Sequence, residues 1–284
     1  MTNKVAIIIP VYNRIEITKT GLNKLRDILF SEGNDNHSEY KIIVIDDGST
    51  DGTSEWIHEN FKDIILLRGN GNLWWSGAVN KGAMYALEVL KSDYVLLWND
   101  DTSPSTDYFI NLNEHLKFID QDTILGSHVL DELTKKTWFK GAYYSKSIGY
   151  VKHIKGEKSS RKINCLTGMG TLVPAKVVLA QHYWDATLFP QYYGDLDFTL
   201  RSYNNHIKLA VMPDLVIYNY TKYSSFNQDH RLKNYLKSLT KIQSRYNIRI
   251  EILFHKRHSK SFIWRFTMFF KHSFYLFQNI IKLI

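Results

Sequence analysis

Cysteine is all but missing from this chain of 284 residues, where Cys165 stands alone. One thiol excludes an internal disulfide and any metal centre built from several thiolates, and it suits a reducing compartment. Proline is sparse at five residues, and no repeat or low-complexity stretch interrupts a composition that is 44% hydrophobic and 23% charged. A basic body is missing too. The net charge of +8 first suggests a polyanion partner, but residues 226–284 hold 12 Lys and Arg against Asp229 and Glu251, a balance of +10. The first 225 residues hold 24 against 26, or −2, so the basic character belongs to the tail. Lys4 precedes an apolar run that Pro10 and Asn13 break, with no small-residue cleavage site after it. That start does not read as a secretion signal, and a cytoplasmic location is expected.

What is present is strand-helix alternation. Val5–Ile9, Ile42–Ile45, Ile64–Leu67 and Tyr94–Leu97 are short apolar runs of the kind that suit a sheet covered on both faces. Helix-like segments at Ile15–Phe30, Thr53–Asn60 and Ser76–Lys91 separate them. This order predicts an α/β fold with a mostly parallel central sheet, flanking helices and ligands at the carboxyl ends of the strands. Further on, Ile124–Val129 and Lys208–Tyr218 read as strands, Tyr143–Lys158 as a loop or hairpin, and Leu172–Ala180 as starting a short helix after Pro174.

Each early strand opens onto an unusual polar loop. The first ends in Pro10-Val-Tyr-Asn13, the second in Asp46-Asp-Gly-Ser-Thr-Asp-Gly52, and the third leads into Arg68-Gly-Asn-Gly-Asn-Leu-Trp-Trp-Ser-Gly-Ala-Val-Asn80. The fourth delivers Asn99-Asp100-Asp101. Adjacent carboxylates repel by about 1 kcal/mol at 4 Å in water and by several times that where water is scarce. A hard divalent cation that leaves positions open to phosphate oxygens would relieve them. The plainer alternatives are a helix cap near Tyr108 or a turn through Asp101-Thr-Ser-Pro104. Gly69, Gly71 and Gly77 allow close backbone approach, and Tyr12, Trp74 and Trp75 offer flat surfaces to a base or sugar.

In their order and spacing these motifs resemble a family 2 glycosyltransferase of the GT-A fold, from Val5 to about Tyr218. The resemblance implies that Asp47 accepts a hydrogen bond from a pyrimidine base beside Tyr12, that Asp100 lies near the ribose, and that Asp101 binds Mn2+ or Mg2+ on the diphosphate. Pro10, Asn13, Gly71, Trp75 and Asn80 complete the implied donor-binding set. In Phe189-Pro-Gln-Tyr-Tyr-Gly-Asp-Leu-Asp-Phe-Thr-Leu-Arg201, it implies that Asp195 is the general base, with Gly194 where many members have Glu. Asp197 reads as a structural partner of Arg201 one helical turn on. Thr167-Gly-Met-Gly-Thr171 resembles the family's small-residue stretch at the sugar and acceptor pocket. Two family features are missing: Val216-Ile-Tyr-Asn-Tyr220 lacks the metal histidine, and no QxxRW-type motif of processive synthases occurs. The Leu73–Asn80 segment is similar to a subset that includes rhamnosyltransferases.

The expected division is a catalytic domain over residues 1–225 and a basic amphipathic helical tail over 226–284. Ser261–Ile284 contains Arg265, Lys271 and Lys282, charges that make a spanning helix unfavourable. His258, Ser261, Arg265, His272, Asn279 and Lys282 fall on one helical stripe and leave aromatic and aliphatic residues for the rest. Two placements follow: a helix in an anionic membrane surface, or one packed on the catalytic domain with its polar stripe in water. Nucleic acid is the poorest partner, because the aromatics do not alternate with the basic residues. The expected activity is inverting transfer of one sugar from a UDP- or dTDP-sugar, dTDP-rhamnose among them. The acceptor is a glycan or lipid-linked glycan of bacterial surface polysaccharide, met at the inner face of the cell membrane. The rivals are a sugar nucleotidyltransferase and a non-catalytic sugar-nucleotide-binding subunit of a membrane assembly.

Overall fold

The computed structural model describes residues 2–31, 38–154, 163–220 and 232–281. Strand β1 (Asn3–Val11) lies parallel between β2 (Ser38–Asp46) and β4 (Tyr94–Leu97), with β3 (Ile65–Arg68) outside β2. Their apolar runs are continuous because both faces are covered. Ile7, Ile42 and Leu96 point into one core cluster, while Ile8, Ile43 and Leu97 point into the other. Helices α1 (Ile15–Leu29) and α4 (Tyr108–Phe118) supply the first cluster, and α3 (Trp74–Glu88) and α5 (Ala175–Ala180) the second. The short helix α2 (Thr53–Asn60) sits between β2 and β3 in the chain.

The parallel order does not run through the whole sheet. Beyond β4 come β10 (Thr171–Pro174), β6 (Thr123–Asp131), β11 (Lys208–Asn219) and β5 (Thr102–Pro104), with β7 (Thr137–Phe139) beside β6. β6 and β11 are parallel, but β10 is antiparallel to both β4 and β6, and β5 is antiparallel to β11. The chain reaches β10 through Gly170 at φ +62°, directly at the carboxyl end of β4, so it can only run back along it. Leu172 and Val173 are therefore strand, and the helix begins after the extended Pro174. Thr102–Pro104 is also strand rather than turn, and Asp107, not Asp100 or Asp101, occupies the N-cap of α4. The Tyr143 region forms a hairpin of β8 (Ala142–Ser145) and β9 (Tyr150–His153).

Helix α6 (Gly194–Asn204) precedes β11, and the C-terminal segment follows as α7 (Leu232–Ser238), α8 (Ile248–His258) and α9 (Trp264–Ile281). The boundary expected at residue 226 lies outside the described residues. Helix α8 belongs to the main core: Phe254 is fully buried, with its ring 4.8 Å from Tyr193 and 5.3 Å from Tyr144. Helix α9 reverses the expected orientation. His272 and Asn279, members of the stripe expected in water, are turned towards protein, as is His258 at the end of α8, while Arg265 stays exposed and the phenylalanines face out. The polar face goes inwards because Glu251 on α8 waits there, accepting hydrogen bonds from Lys271 Nζ at 2.6 Å and His272 Nε2 at 2.9 Å. Lys282 lies outside the described residues. Among those residues no helix is long and apolar enough to cross a membrane.

Candidate active site

The loops after β1, β2, β3 and β4 meet at the carboxyl edge of the parallel strands. Asn13, at φ +49°, ties the first to the second: its Oδ1 accepts from Thr50 N at 2.8 Å and its N–H donates to Ser49 Oγ at 2.8 Å. Pro10 pairs with Ile45 one residue before β1 ends, and Tyr12 stands 51% exposed just beyond it. Asp47 is buried, with both oxygens on the glycine-rich loop: Oδ1 accepts from Gly71 N and Oδ2 from Trp74 N, each at 2.9 Å. Gly69 is required beside it, because a Cβ there would come within 2.4 Å of Asp47 Oδ1. Asp47 thus shapes the loop that would hold a base, and further acceptance rests on its second lone pairs.

Asp100 and Asp101 share a cation of the chain's own. Arg14, the residue after the Pro10–Asn13 loop, reaches Asp101 Oδ2 with NH2 at 2.9 Å and Asp100 Oδ1 with NH1 at 3.4 Å. Thr18 donates to Asp100 Oδ2 at 3.1 Å, which turns Asp100 under α1. Helix α1 lies close enough that a Cβ on Gly21 would sit 2.0 Å from the Asp100 carbonyl oxygen. Burial pushes the Asp100 carboxyl up to about 6 against the pull of Arg14, with Asp101 adding to the rise. The sequence signal for Arg14 was present, since acids in such number need a counter-charge, but the pairing itself was not foreseen.

The base side is joined to this edge by backbone. Gly170 N donates to Leu97 O at the end of β4, setting the 167–171 loop beside the acidic tripeptide. Gly168 N in that loop donates to Asp195 Oδ2 at 3.1 Å, and Leu196 N donates to Oδ1 at 2.8 Å. Burial raises the Asp195 pKa above the ordinary aspartate value, opposed by these two N–H groups. Trp75 spans the two halves. Its N–H donates to Gln191 Oε1 at 3.1 Å, and its ring lies on Gly168, where a Cβ would be 2.2 Å from Cζ2. Ser76 N donates to Pro190 O at 2.8 Å, so the loop leading to Asp195 caps the first turn of α3. Burial lowers the Arg14 pKa, but Asp100 and Asp101, with a smaller contribution from Tyr192 in that loop, hold it above its ordinary value. The Gly168 and Gly170 bonds thus bring the loop that holds Asp195 to the strand end that carries Asp100 and Asp101.

Asn80 has its amide engaged elsewhere. Its Nδ2 donates to Trp184 O at 2.8 Å and its Oδ1 accepts from Trp184 N at 3.0 Å, so its amide braces α3 against the following segment. Asp197 is held by more than the foreseen Arg201. Arg201 Nε donates to Oδ2 at 2.8 Å, while Arg257 NH1 at 3.0 Å and His258 Nε2 at 2.8 Å both reach Oδ1 from α8. Burial would raise Asp197, and His258 and Arg201 outweigh it, holding the carboxyl below the ordinary range. Cys165 is fully buried, and burial pushes its thiol up, which disqualifies it as a nucleophile.

The model of glycosyl transferase family 2 matches residues 6–176. The chain belongs to that family. Its fold is GT-A, shared with solved glycosyltransferases of low identity. The mannosyltransferase PcManGT from Pyrobaculum calidifontis, in complex with GDP-Man and Mn2+, aligns at TM-score 0.56 and 12% identity over 98% of this chain and 73% of its own. TarS 1-349 of S. aureus with UDP-GlcNAc aligns at TM-score 0.54 and 16% identity over 90% and 74%. GalNAc-T7 with UDP, GalNAc and Mn2+ aligns at TM-score 0.57 and 12% identity over 93% and 56%. No curated protein matches the chain by sequence.

Within this glycosyltransferase, Gly194 leaves no room for a side chain. A Cβ there would lie 2.2 Å from Ser76 Oγ, which is committed to Phe189 O at 2.6 Å. The oxygen donors at the acidic edge fit a hard divalent cation. Arg14 bonds only one oxygen of Asp101, and Asn219 Oδ1 is buried without a hydrogen-bond partner where β11 passes, next to the Tyr220 N–H bond to Asp101 O at 2.9 Å. Among the described residues no three His, Cys, Asp or Glu side chains gather as a metal cage. Such a cation would depend on diphosphate oxygens and water for its remaining positions.

Proposed function

We propose that this enzyme transfers one sugar, with inversion, from a pyrimidine nucleoside-diphosphate donor to a glycan or lipid-linked glycan acceptor in bacterial surface polysaccharide synthesis. Tyr12, Asn13 and the loop folded by Asp47, with Gly71 and Trp75, would receive the nucleotide, and Asp100 and Asp101 would face its ribose and diphosphate. A divalent cation on Asp101 would offset the charge that builds on the leaving diphosphate. The observation that supports the reading most is Asp195, a carboxylate of raised pKa fixed by Gly168 and Leu196 on the same sheet edge as the acid pair. Asp195 takes the proton of the acceptor hydroxyl as that oxygen bonds to the anomeric carbon. The bond to the diphosphate oxygen breaks, and the nucleoside diphosphate leaves with the electron pair. The raised pKa makes Asp195 the stronger base.

The family neighbours include one with GDP-Man and one with UDP-GlcNAc, so the fold by itself accommodates both kinds of base. The pyrimidine assignment, and dTDP-rhamnose within it, rests on the motif resemblance and is tested by thermal shift with a panel of nucleotide sugars. A nucleotidyltransferase would need a basic loop after β1 for a triphosphate, and there Arg14 is committed to Asp100 and Asp101. Asp195→Asn decides between catalysis and mere binding. Donor affinity is expected to persist while transfer falls about 100-fold or more; transfer at the wild-type rate would remove Asp195 from the mechanism. The site of action on this reading is the inner face of the cell membrane, reached through the C-terminal segment.

A further inference from the structure

Helix α9 shows its apolar side to the outside. Phe262, Phe266, Phe269, Phe270, Phe274 and Phe277, in the helix and the turn before it, are 57–67% exposed. Taking about 200 Å² per phenylalanine, the six present roughly 700 Å², more than the largest patch on a typical monomer. The opposite side is held by polar bonds. Lys271 and His272 meet Glu251, Tyr235 OH lies 2.8 Å from His272 Nδ1, and Thr267 Oγ1 donates to Ile148 O at 3.1 Å. The aromatic face therefore cannot be buried by rolling the helix without taking Lys271 and His272 away from the buried Glu251.

Charge selects what covers it. Between residues 232 and 281 ten Lys and Arg face a single acid, Glu251, which is buried and occupied by Lys271 and His272. Lys260, just before α9, and Arg265, in its first turn, are exposed, as is Lys256 on α8. A second copy of the chain would bring the same unbalanced positive charge against it, whereas anionic headgroups neutralise it. The helix is amphipathic, too polar on its inner face to span, and basic at its margins. We infer that the α9 face inserts into the interfacial layer of an anionic lipid bilayer, as a surface plate bonded to α8 through Glu251, and α8 in turn to the helix that carries Asp195 through Asp197. This deepens the proposed function by giving the membrane contact its surface, but it does not depend on the identity of the donor or base.

The test uses the full chain and vesicles. Sedimentation with phosphatidylcholine vesicles containing 30% phosphatidylglycerol is expected to bind the wild-type protein, with at least tenfold weaker partitioning into pure phosphatidylcholine. The triple substitution Phe266→Ser, Phe270→Ser, Phe274→Ser should weaken partitioning at least tenfold while far-UV circular dichroism and thermal stabilisation by the donor persist. Lys260→Glu with Arg265→Glu, both exposed, gives a second variant with the same expected loss. Absence of wild-type binding to the anionic vesicles, equal binding by both variants, or a solution dimer that the triple substitution dissolves would each overturn the lipid assignment. Donor binding and the Asp195→Asn result would be untouched by that failure.

Discussion

Asp197→Asn tests how the C-terminal segment reaches the chemistry. The side chain is fully buried and takes three donors, Arg201, Arg257 and His258, two of them from α8. Removing one member of a buried charge cluster typically costs about 3–5 kcal/mol. Neither arginine is stranded, since Arg257 keeps Asp185 Oδ2 at 2.8 Å, and Arg201 keeps Gln181 O at 2.6 Å and Tyr183 O at 2.9 Å. The expected cost is therefore the lower end, about 3 kcal/mol. At roughly 2–4 °C per kcal/mol, the melting midpoint should fall by about 6–12 °C. Asp195 lies in the same helical turn, and displacement of a reacting group by 1 Å can cost about 100-fold. Turnover at saturating donor should thus fall about 10- to 100-fold, with the donor Kd within about twofold of wild type. Differential scanning fluorimetry, donor titration and initial rates measure all three. A midpoint within a degree of wild type, or a donor Kd that worsens in step with turnover, would refute the clasp.

Two further outcomes follow from buried charge. Glu251→Gln should loosen α9 and speed amide exchange over residues 264–281, read by hydrogen-exchange mass spectrometry. Burial alone would raise Glu251, but hydrogen bonds from His255 and His272 and the charge of Lys271 hold it well below its ordinary value of 4.5. A depressed carboxylate stabilises the fold above the unfolded-state pKa, so the gap between wild type and variant should be full at pH 7 and shrink as pH falls below about 4.5. A gap that widens in acid would contradict this. Arg14→Ala leaves Asp100 and Asp101 without their counter-charge, and the melting midpoint should fall. Millimolar Mn2+ should then stabilise the variant more than the wild type, and equal shifts in both proteins would speak against cation binding at Asp101.

The order of strands, helices and polar loops was legible because each motif is local, and the family match over residues 6–176 rests on the same stretch. Leu172 and Val173 were not legible as strand: a short apolar run before a proline reads alike for helix and strand, and only pairing with Val95 and Leu96 decides it. Asn80 stood in a ligand-binding motif by position, yet its amide is taken by Trp184, 104 residues away in sequence. The bonds of Gly168 to Asp195 and Arg257 to Asp197 are equally remote in the chain, and no spacing rule predicts them.

By itself the sequence determined the GT-A sheet, the four polar loops at its edge, the acid pair, the candidate base and the amphipathic character of the tail, because period and local chemistry encode these. Tertiary structure alone decided that Arg14 pairs with both acids of the pair and that Asp195 is fixed by the backbone of another loop. It also decided that α9 turns its polar side inwards. Helical spacing says which residues share a face, not which face meets protein, and here one buried glutamate, which Lys271 and His272 of α9 reach, settled the choice.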